Sequence, residues 1–312
     1  MTIKTSTLKR YIPLILGIAL LVGAALYVPW DSVEPYLAKV SALNYSLLIL
    51  LSVLYYFGRS LRYWLMLKML HQTAPFKIVV LSCLAAQPIA VLPGGELYRG
   101  VMLKRYGNVN LSDSTASVFA QSLAESFGLI VIALIGAGIL HRYELATASI
   151  AIVLFAMWIV INLYSGSKAH RVTNLLPGVN FHPSSVAAYL RRNRILLSGK
   201  NFGILLAASL VSTVAGIAMV ITVIYGLGLH IGIAQAAMVY ALPAVLEVVS
   251  FLPGGLGANE GTSVGLLLLF NFSLPEAIAV TILVRIFTLG IGFIFGFGAM
   301  LWAKIGNFRQ YD

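Results

Sequence analysis

The chain has 312 residues, of which 60% are hydrophobic and only 10% charged, and its mean hydropathy is +0.93. Soluble domains carry about 25% charged residues, so this composition excludes a water-soluble globular protein and predicts an all-α polytopic membrane protein. The net charge of +11 fits Lys and Arg gathered in cytoplasmic loops and drawn to anionic lipid; with no soluble domain to carry it, a nucleic-acid partner is not expected.

Lys4, Lys9 and Arg10 precede an apolar run over 11–30, long enough to span at about 20 residues. It reads as a retained first helix with its amino terminus inside. Residues 31–41 are polar and predict a short external amphipathic segment. A second helix is predicted over 43–70. Its Arg59 and Arg62 are i and i+3 and so share a face. Residues 76–92 enter the membrane again and reach Leu92-Pro93-Gly94-Gly95-Glu96-Leu97-Tyr98-Arg99, and 97–106 lead out to Lys104 and Arg105. A long helix over 114–140 carries Gln121 and Glu125, a polar turn covers 141–144, and 145–164 returns. The loop 165–200 holds Lys168, Arg171, Arg191, Arg192, Arg194 and Lys200 without an acidic residue; within it, 184–198 fits a basic interfacial helix. Residues 202–225 span again, and 231–252 enter. The second break reads Leu252-Pro253-Gly254-Gly255-Leu256-Gly257-Ala258-Asn259-Glu260-Gly261, after which 262–270 leave. The last helix, 274–303, carries Arg285, and 304–312 form a cytoplasmic tail.

Pro and several glycines cannot continue an ordinary helix cheaply. Unwound backbone in hydrocarbon survives only where it lines a cavity or is buried in protein. Two interrupted apolar segments, one in each half of a chain, point to a transporter-type site. The positive-inside rule places both termini, the 68–77 and 104–105 turns and the 165–200 loop in the cytoplasm, leaving Lys39 and Arg142 outside. Segment 76–106 then starts and ends inside, and 231–273 starts and ends outside. Both read as re-entrant helical hairpins broken at Pro-Gly-Gly. They fall within a single transmembrane domain with about six full spans. Its first repeat is 43–140 and its second lies within 201–303, flanked by 1–42 before and joined through 141–200. The flanking helices run in opposite directions, which defines an inverted-topology repeat.

Few charges remain inside: Arg59, Arg62, Glu96, Arg99, Glu125, Glu247, Glu260 and Arg285. Each costs roughly 2.5–3.5 kcal/mol at a helix centre on the insertion scale, and residues kept against that penalty mark pathways. Backbone N–H groups freed at Gly94-Gly95 and Gly254-Gly255 would favour an anion, and arginine is suited to phosphate. Plainer readings stand beside these. Arg59 and Arg62 could snorkel to the inner interface. Glu96 and Arg99 could be a local ion pair. Glu125 and Arg285 could join the two halves, and Glu247 could sit at the outer interface. Tyr55, Tyr56, Phe57, Tyr63 and Trp64 read as packing or interfacial aromatics. Cys83 is the only cysteine and the five histidines are scattered, so no disulfide, metal or cofactor site is expected. No H-E-x-x-H, G-x-S-x-G or Walker A pattern is present, so an enzyme is not expected.

Pro93-Gly94-Gly95-Glu96 with Arg99, then Glu125, then Pro253-Gly254-Gly255-Leu256-Gly257 with Glu260, and finally Arg285 resemble the lysylphosphatidylglycerol synthase transmembrane (flippase-like, UPF0104-type) family over roughly 76–303. The resemblance implies a membrane domain that moves lipids between leaflets. Longer members add a soluble domain that performs aminoacylation, and aminoacyl transfer is not expected of this chain. The expected function is movement of an anionic or phosphate-linked lipid through a polar midplane cavity of a multi-pass inner-membrane protein. That lipid would be a phospholipid, an aminoacyl-phospholipid or a polyprenyl-phosphate. Arg59, Arg62, Arg99 and Arg285 would neutralise phosphate, and Glu96, Glu125 and Glu260 would pair with them or with a cationic headgroup. The alternative is an integral-membrane enzyme or enzyme subunit acting on a polyprenyl-phosphate or phosphatidylglycerol lipid. Expected partners are membrane lipids, a separately encoded lipid-modifying enzyme and a second copy of the chain in a homodimer.

Overall fold

A computed structural model of the chain describes residues 30–90, 95–142, 144, 191–250 and 252–305. Among them there is no strand. A short helix α1 (Trp30–Leu37) stands where the amphipathic segment was expected, followed by α2 (Ala42–Met69), α3 (Phe76–Ala85) and a four-residue α4 (Gln87–Ala90). After the first break come a 3-10 turn (Gly95–Leu97), α5 (Tyr98–Gly107) and α6 (Leu111–Ile139). The second half holds α7 (Gly199–Gly226), α8 (Ile233–Val249), a 3-10 turn (Pro253–Gly255), α9 (Ala258–Leu269), α10 (Leu274–Arg285) and α11 (Ile291–Ile305). The expected spans over 11–30 and 145–164, Pro93 and Gly94 of the first break, most of the basic loop and the carboxyl tail lie outside the described residues.

Among the described residues, four helices are long and apolar enough to cross a membrane: Ala42–Met69, Leu111–Ile139, Gly199–Gly226 and Leu274–Ile305. At 1.5 Å per residue, the 28 residues of α2 reach about 42 Å, the thickness of a bilayer with its headgroups. The protein is an all-α membrane protein. Ser41 starts α2 by accepting a hydrogen bond from the Asn44 N–H at 3.3 Å, which satisfies one orphan donor of the first turn.

The packing repeats itself. The arms of the first broken segment, α3 and α5, lie against each other, as do α8 and α9 in the second. α3 also packs on α2, and α8 on α7; α5 packs on α6, and α9 on α10. Each first arm then crosses to the other half, α3 onto α11 and α8 onto α6. Glycines seat both crossings. A Cβ at Gly136 would meet Met238 Cγ at 2.7 Å, and one at Gly296 would meet the Leu84 carbonyl oxygen at 2.7 Å.

The extensive contact of α2 with α7 fixes the relation between the halves. Ser52 reaches Met219, Gly58 faces Ser212, Arg62 bonds Ser209, and Gly226 faces Asn44. As one number rises the other falls, so these two helices, first in their respective units, run antiparallel. Swapping the units reproduces the contact pattern with helix direction reversed, as an inverted repeat requires.

Two details depart from the sequence reading. Helix α9 begins at Ala258, not at 262, because Glu260 turns back and accepts from the Gly257 N–H at 2.7 Å, capping the helix from its third position. The last helix also carries an irregularity within its length. A π-helical turn at Ile286–Gly290 separates α10 from α11. Ser52 Oγ lies 2.8 Å from the Phe287 carbonyl oxygen and the Tyr56 hydroxyl donates to that of Thr288, so α2 serves carbonyls of this turn.

Candidate functional site

A cavity of about 380 Å³ lies between the two units. From the first unit it is lined by Tyr55, Tyr56 and Arg59 of α2, Gln87 of α4, Glu96 and Arg99 after the first break, and Gln121, Ser122 and Glu125 of α6. From the second it takes Tyr240, Pro243 and Glu247 of α8, Gly254 and Gly255 of the break, Asn259 of α9, Arg285 of α10 and Thr288 of the π turn. Six of the eight charges singled out in the sequence, Arg59, Glu96, Arg99, Glu125, Glu247 and Arg285, line it.

In the first unit, Arg62 is fully buried. It donates to Glu125 Oε2 at 2.7 Å and across to Ser209 Oγ of α7 at 2.8 Å. Arg99 forms the local ion pair with Glu96, donates to the Glu96 carbonyl oxygen and to Gln121 Oε1, both at 3.1 Å, and lies 4.9 Å from the Tyr63 ring centre. Arg59 is held less firmly. Its Nη1 donates to the Tyr55 hydroxyl at 2.9 Å, and its Nη2 stands 3.9 Å from Glu96, a carboxylate already engaged by Arg99. The one-face reading of Arg59 and Arg62 therefore needs correcting: the 60° between them sends Arg59 into the cavity and Arg62 behind its wall.

In the second unit a single guanidinium serves three acceptors. Arg285 Nε donates to Glu260 Oε1 at 2.5 Å, Nη1 to Glu247 Oε2 at 3.3 Å and Nη2 to the Gly254 carbonyl oxygen at 3.0 Å. Asn259 Nδ2 donates to Glu247 Oε2 at 2.7 Å. Gly254 and Gly255 have φ of 61° and 64°, the left-handed region that favours glycine, and a Cβ at Gly255 would also strike the Glu247 side chain.

Several site expectations change. Glu125 and Arg285 do not pair with each other. Glu125 faces Arg62 within its own unit, and Arg285 is taken by carboxylates of α8 and α9. Backbone N–H groups expected to be free at the second break are engaged by the chain itself: Gly255 N donates to the Leu252 carbonyl oxygen at 2.9 Å and Gly257 N to Glu260. Pro253 opens the 3-10 turn, and Gly95 is buried where a Cβ would collide with the Ile89 carbonyl. Glu247 lines the cavity and pairs with Arg285, and it brings Asn259. The Tyr55 and Arg59 spacing of i and i+4, one helix face, was the legible sign that an aromatic of α2 belongs to the cavity.

The charges of this cluster are four arginines, Arg59, Arg62, Arg99 and Arg285, against four glutamates, Glu96, Glu125, Glu247 and Glu260. They divide unequally. The first unit has three arginines for two carboxylates, and the second has one arginine for two.

The family model for the lysylphosphatidylglycerol synthase TM region matches residues 14–296. The chain belongs to that family. No curated protein matches the chain. The match takes in both units and the whole charged cluster, so the cavity lies inside the part of the chain that defines family membership.

Proposed function

We propose that this family member moves a lipid with an anionic or phosphate-bearing headgroup between leaflets, the headgroup passing through the charged cavity while the tails stay in hydrocarbon. The observation that carries the reading is the cavity itself: three arginines and three glutamates line it between two packed, broken segments, with Arg62 and Glu260 ion-paired to that lining, in a chain only 10% charged. Charges kept inside a membrane body usually line a path for a polar substrate.

On this reading the two broken segments re-enter the membrane from opposite faces. The inverted packing of α2 on α7 supports that placement, and the basic loops favour a cytoplasmic side for both termini in an inner membrane. Arg59 is the first contact for phosphate. It faces the cavity, its own carboxylate is 3.9 Å away, and its guanidinium can present two N–H groups to one phosphate. Glu247 and Glu260, sharing one arginine, offer a counter-site for a cationic part of the headgroup. Alternating exposure would come from rocking one unit against the other.

The test is movement of fluorescent-headgroup lipids in proteoliposomes, with dithionite access as readout. Wild type should accelerate exchange over empty vesicles, and Arg59→Ala should abolish most of that gain while the protein remains folded. Exchange equal to empty vesicles, or undiminished in folded Arg59→Ala, rejects the reading.

A further inference from the structure

A second concavity lies outside the polar cavity. It is a groove of about 410 Å³ between α3 and α11, lined among others by Val80, Leu84, Phe295, Gly298 and Trp302. Lys77 is the sole charged side chain in its lining. The two helices are antiparallel here: Leu84 faces Gly296, while Ile78 clusters with Ala299 and Ala303. Lys77 and Trp302 therefore share one end, next to Lys304, and Leu84 and Phe295 share the other. From Lys77 to Leu84 is about 10 Å of helix. Beyond Leu84, Pro88 seats against Gly296 and Tyr56 against Gly292, and the polar cavity begins on the far side with Gln87 and Thr288.

The groove runs about 10 Å along its two helices between apolar walls, which suits a single flexible hydrocarbon chain. Lys77 is exposed, and among the described residues no carboxylate pairs with it. A lysine ammonium is a compact charge that binds phosphate. A Trp and two lysines at one end are what the membrane–water interface favours. We propose that this groove holds one acyl chain of an anionic glycerophospholipid whose phosphate sits on Lys77. As a waiting position outside the cavity, it rests on the transport reading above; as a lipid site it stands alone.

The experiment uses full-length protein in phosphatidylcholine nanodiscs doped with phosphatidylglycerol carrying a diazirine in one acyl chain. After irradiation, labelled peptides are mapped by mass spectrometry. Wild type should label in α3 and α11, at least fivefold more than with a matched phosphatidylcholine probe. Gly298→Leu fills the groove from a position where a Cβ meets nothing within 4 Å, and should cut labelling at least fivefold. Ile294→Trp, from the exposed rim, should do the same and covers the case in which the first variant does not fold. Lys77→Gln should remove the preference for the anionic probe. Absent labelling in the groove, equal labelling by the two probes, or labelling unchanged by both fillers overturns the site. Arg59→Ala keeps the two readings apart: groove labelling should persist in it even as lipid movement stops.

Discussion

Replacing Arg285 with methionine is the most informative single change. The side chain is 14% exposed and serves Glu260, Glu247 and the Gly254 carbonyl oxygen. Breaking a buried ion pair by removing one partner costs about 3–5 kcal/mol, because a charge is left without compensation. Two features place the expected loss at the lower end. Glu260 keeps the Gly257 N–H and Glu247 keeps the Asn259 amide, each at 2.7 Å, and Glu247 is 33% exposed. We expect about 3 kcal/mol, or roughly 10 °C in Tm if the 2–4 °C per kcal/mol typical of chains of 150–250 residues applies. The assay is thermal unfolding in detergent across a cycle of Arg285→Met, Glu247→Gln/Glu260→Gln and the triple variant. Since removing a whole ion pair is much cheaper than orphaning one member, the triple variant should melt well above Arg285→Met. An Arg285→Met protein within 2 °C of wild type, or a triple variant no more stable than it, would refute this account of how the second break is held.

The other expectations concern how the units are built. Arg62→Met should destabilise by about 3–5 kcal/mol because it leaves the cavity-lining Glu125 without its ion-pair partner. Arg59→Met should cost under about 1 kcal/mol, its carboxylate being held by Arg99; equal losses in denaturant titrations would contradict the assignment of one to structure and the other to the cavity. Gly58→Leu should lower stability by about 1–3 kcal/mol, since even its Cβ would lie 2.7 Å from the Ser212 backbone nitrogen; an unchanged Tm would mean that α2 and α7 can part freely. Tyr56→Phe with Ser52→Ala should cost about 1–3 kcal/mol per carbonyl of the π turn left unserved, and hydrogen exchange at 286–290 should quicken.

The large features of the fold were legible because hydropathy and proline–glycine punctuation are local signals. Helices over 42–69, 111–139 and 199–226 begin and end within three residues of where the apolar runs do. Basic turns suggested opposed halves, and the antiparallel seat of α2 on α7 agrees. The charges were legible as a set but not as pairs. Which carboxylate meets which arginine depends on helix rotation, and a run of apolar residues with weak amphipathicity does not fix rotation. So Glu125 was open to Arg285, and Glu247 to the outer interface. The π turn at 286–290 was also invisible. It breaks no propensity rule, and its partners Ser52 and Tyr56 lie more than 200 residues away.

The distribution of bonds bears on how such a body could move. Every ion pair of the charged cluster closes within one unit: Arg59 and Arg99 on Glu96, Arg62 on Glu125, and Arg285 on Glu247 and Glu260. The side-chain bonds of α2 across to the second unit are of another kind: Arg62 to the Ser209 hydroxyl, Ser52 to the Phe287 carbonyl and Tyr56 to that of Thr288. A net hydrogen bond of this sort is worth about 0.5–1.5 kcal/mol, or up to about 3 when one partner is charged, against 3–5 kcal/mol for orphaning a buried charge. Rocking the units apart would therefore break the cheaper set and carry each charge together with its counter-charge. The cluster as a whole is neutral while each unit is not, so the attraction between units is strongest when the cavity is empty. A headgroup that places phosphate by Arg59 screens the surplus positive charge of the first unit and weakens that attraction. Loading would then favour separation of the units, which is the direction a carrier needs.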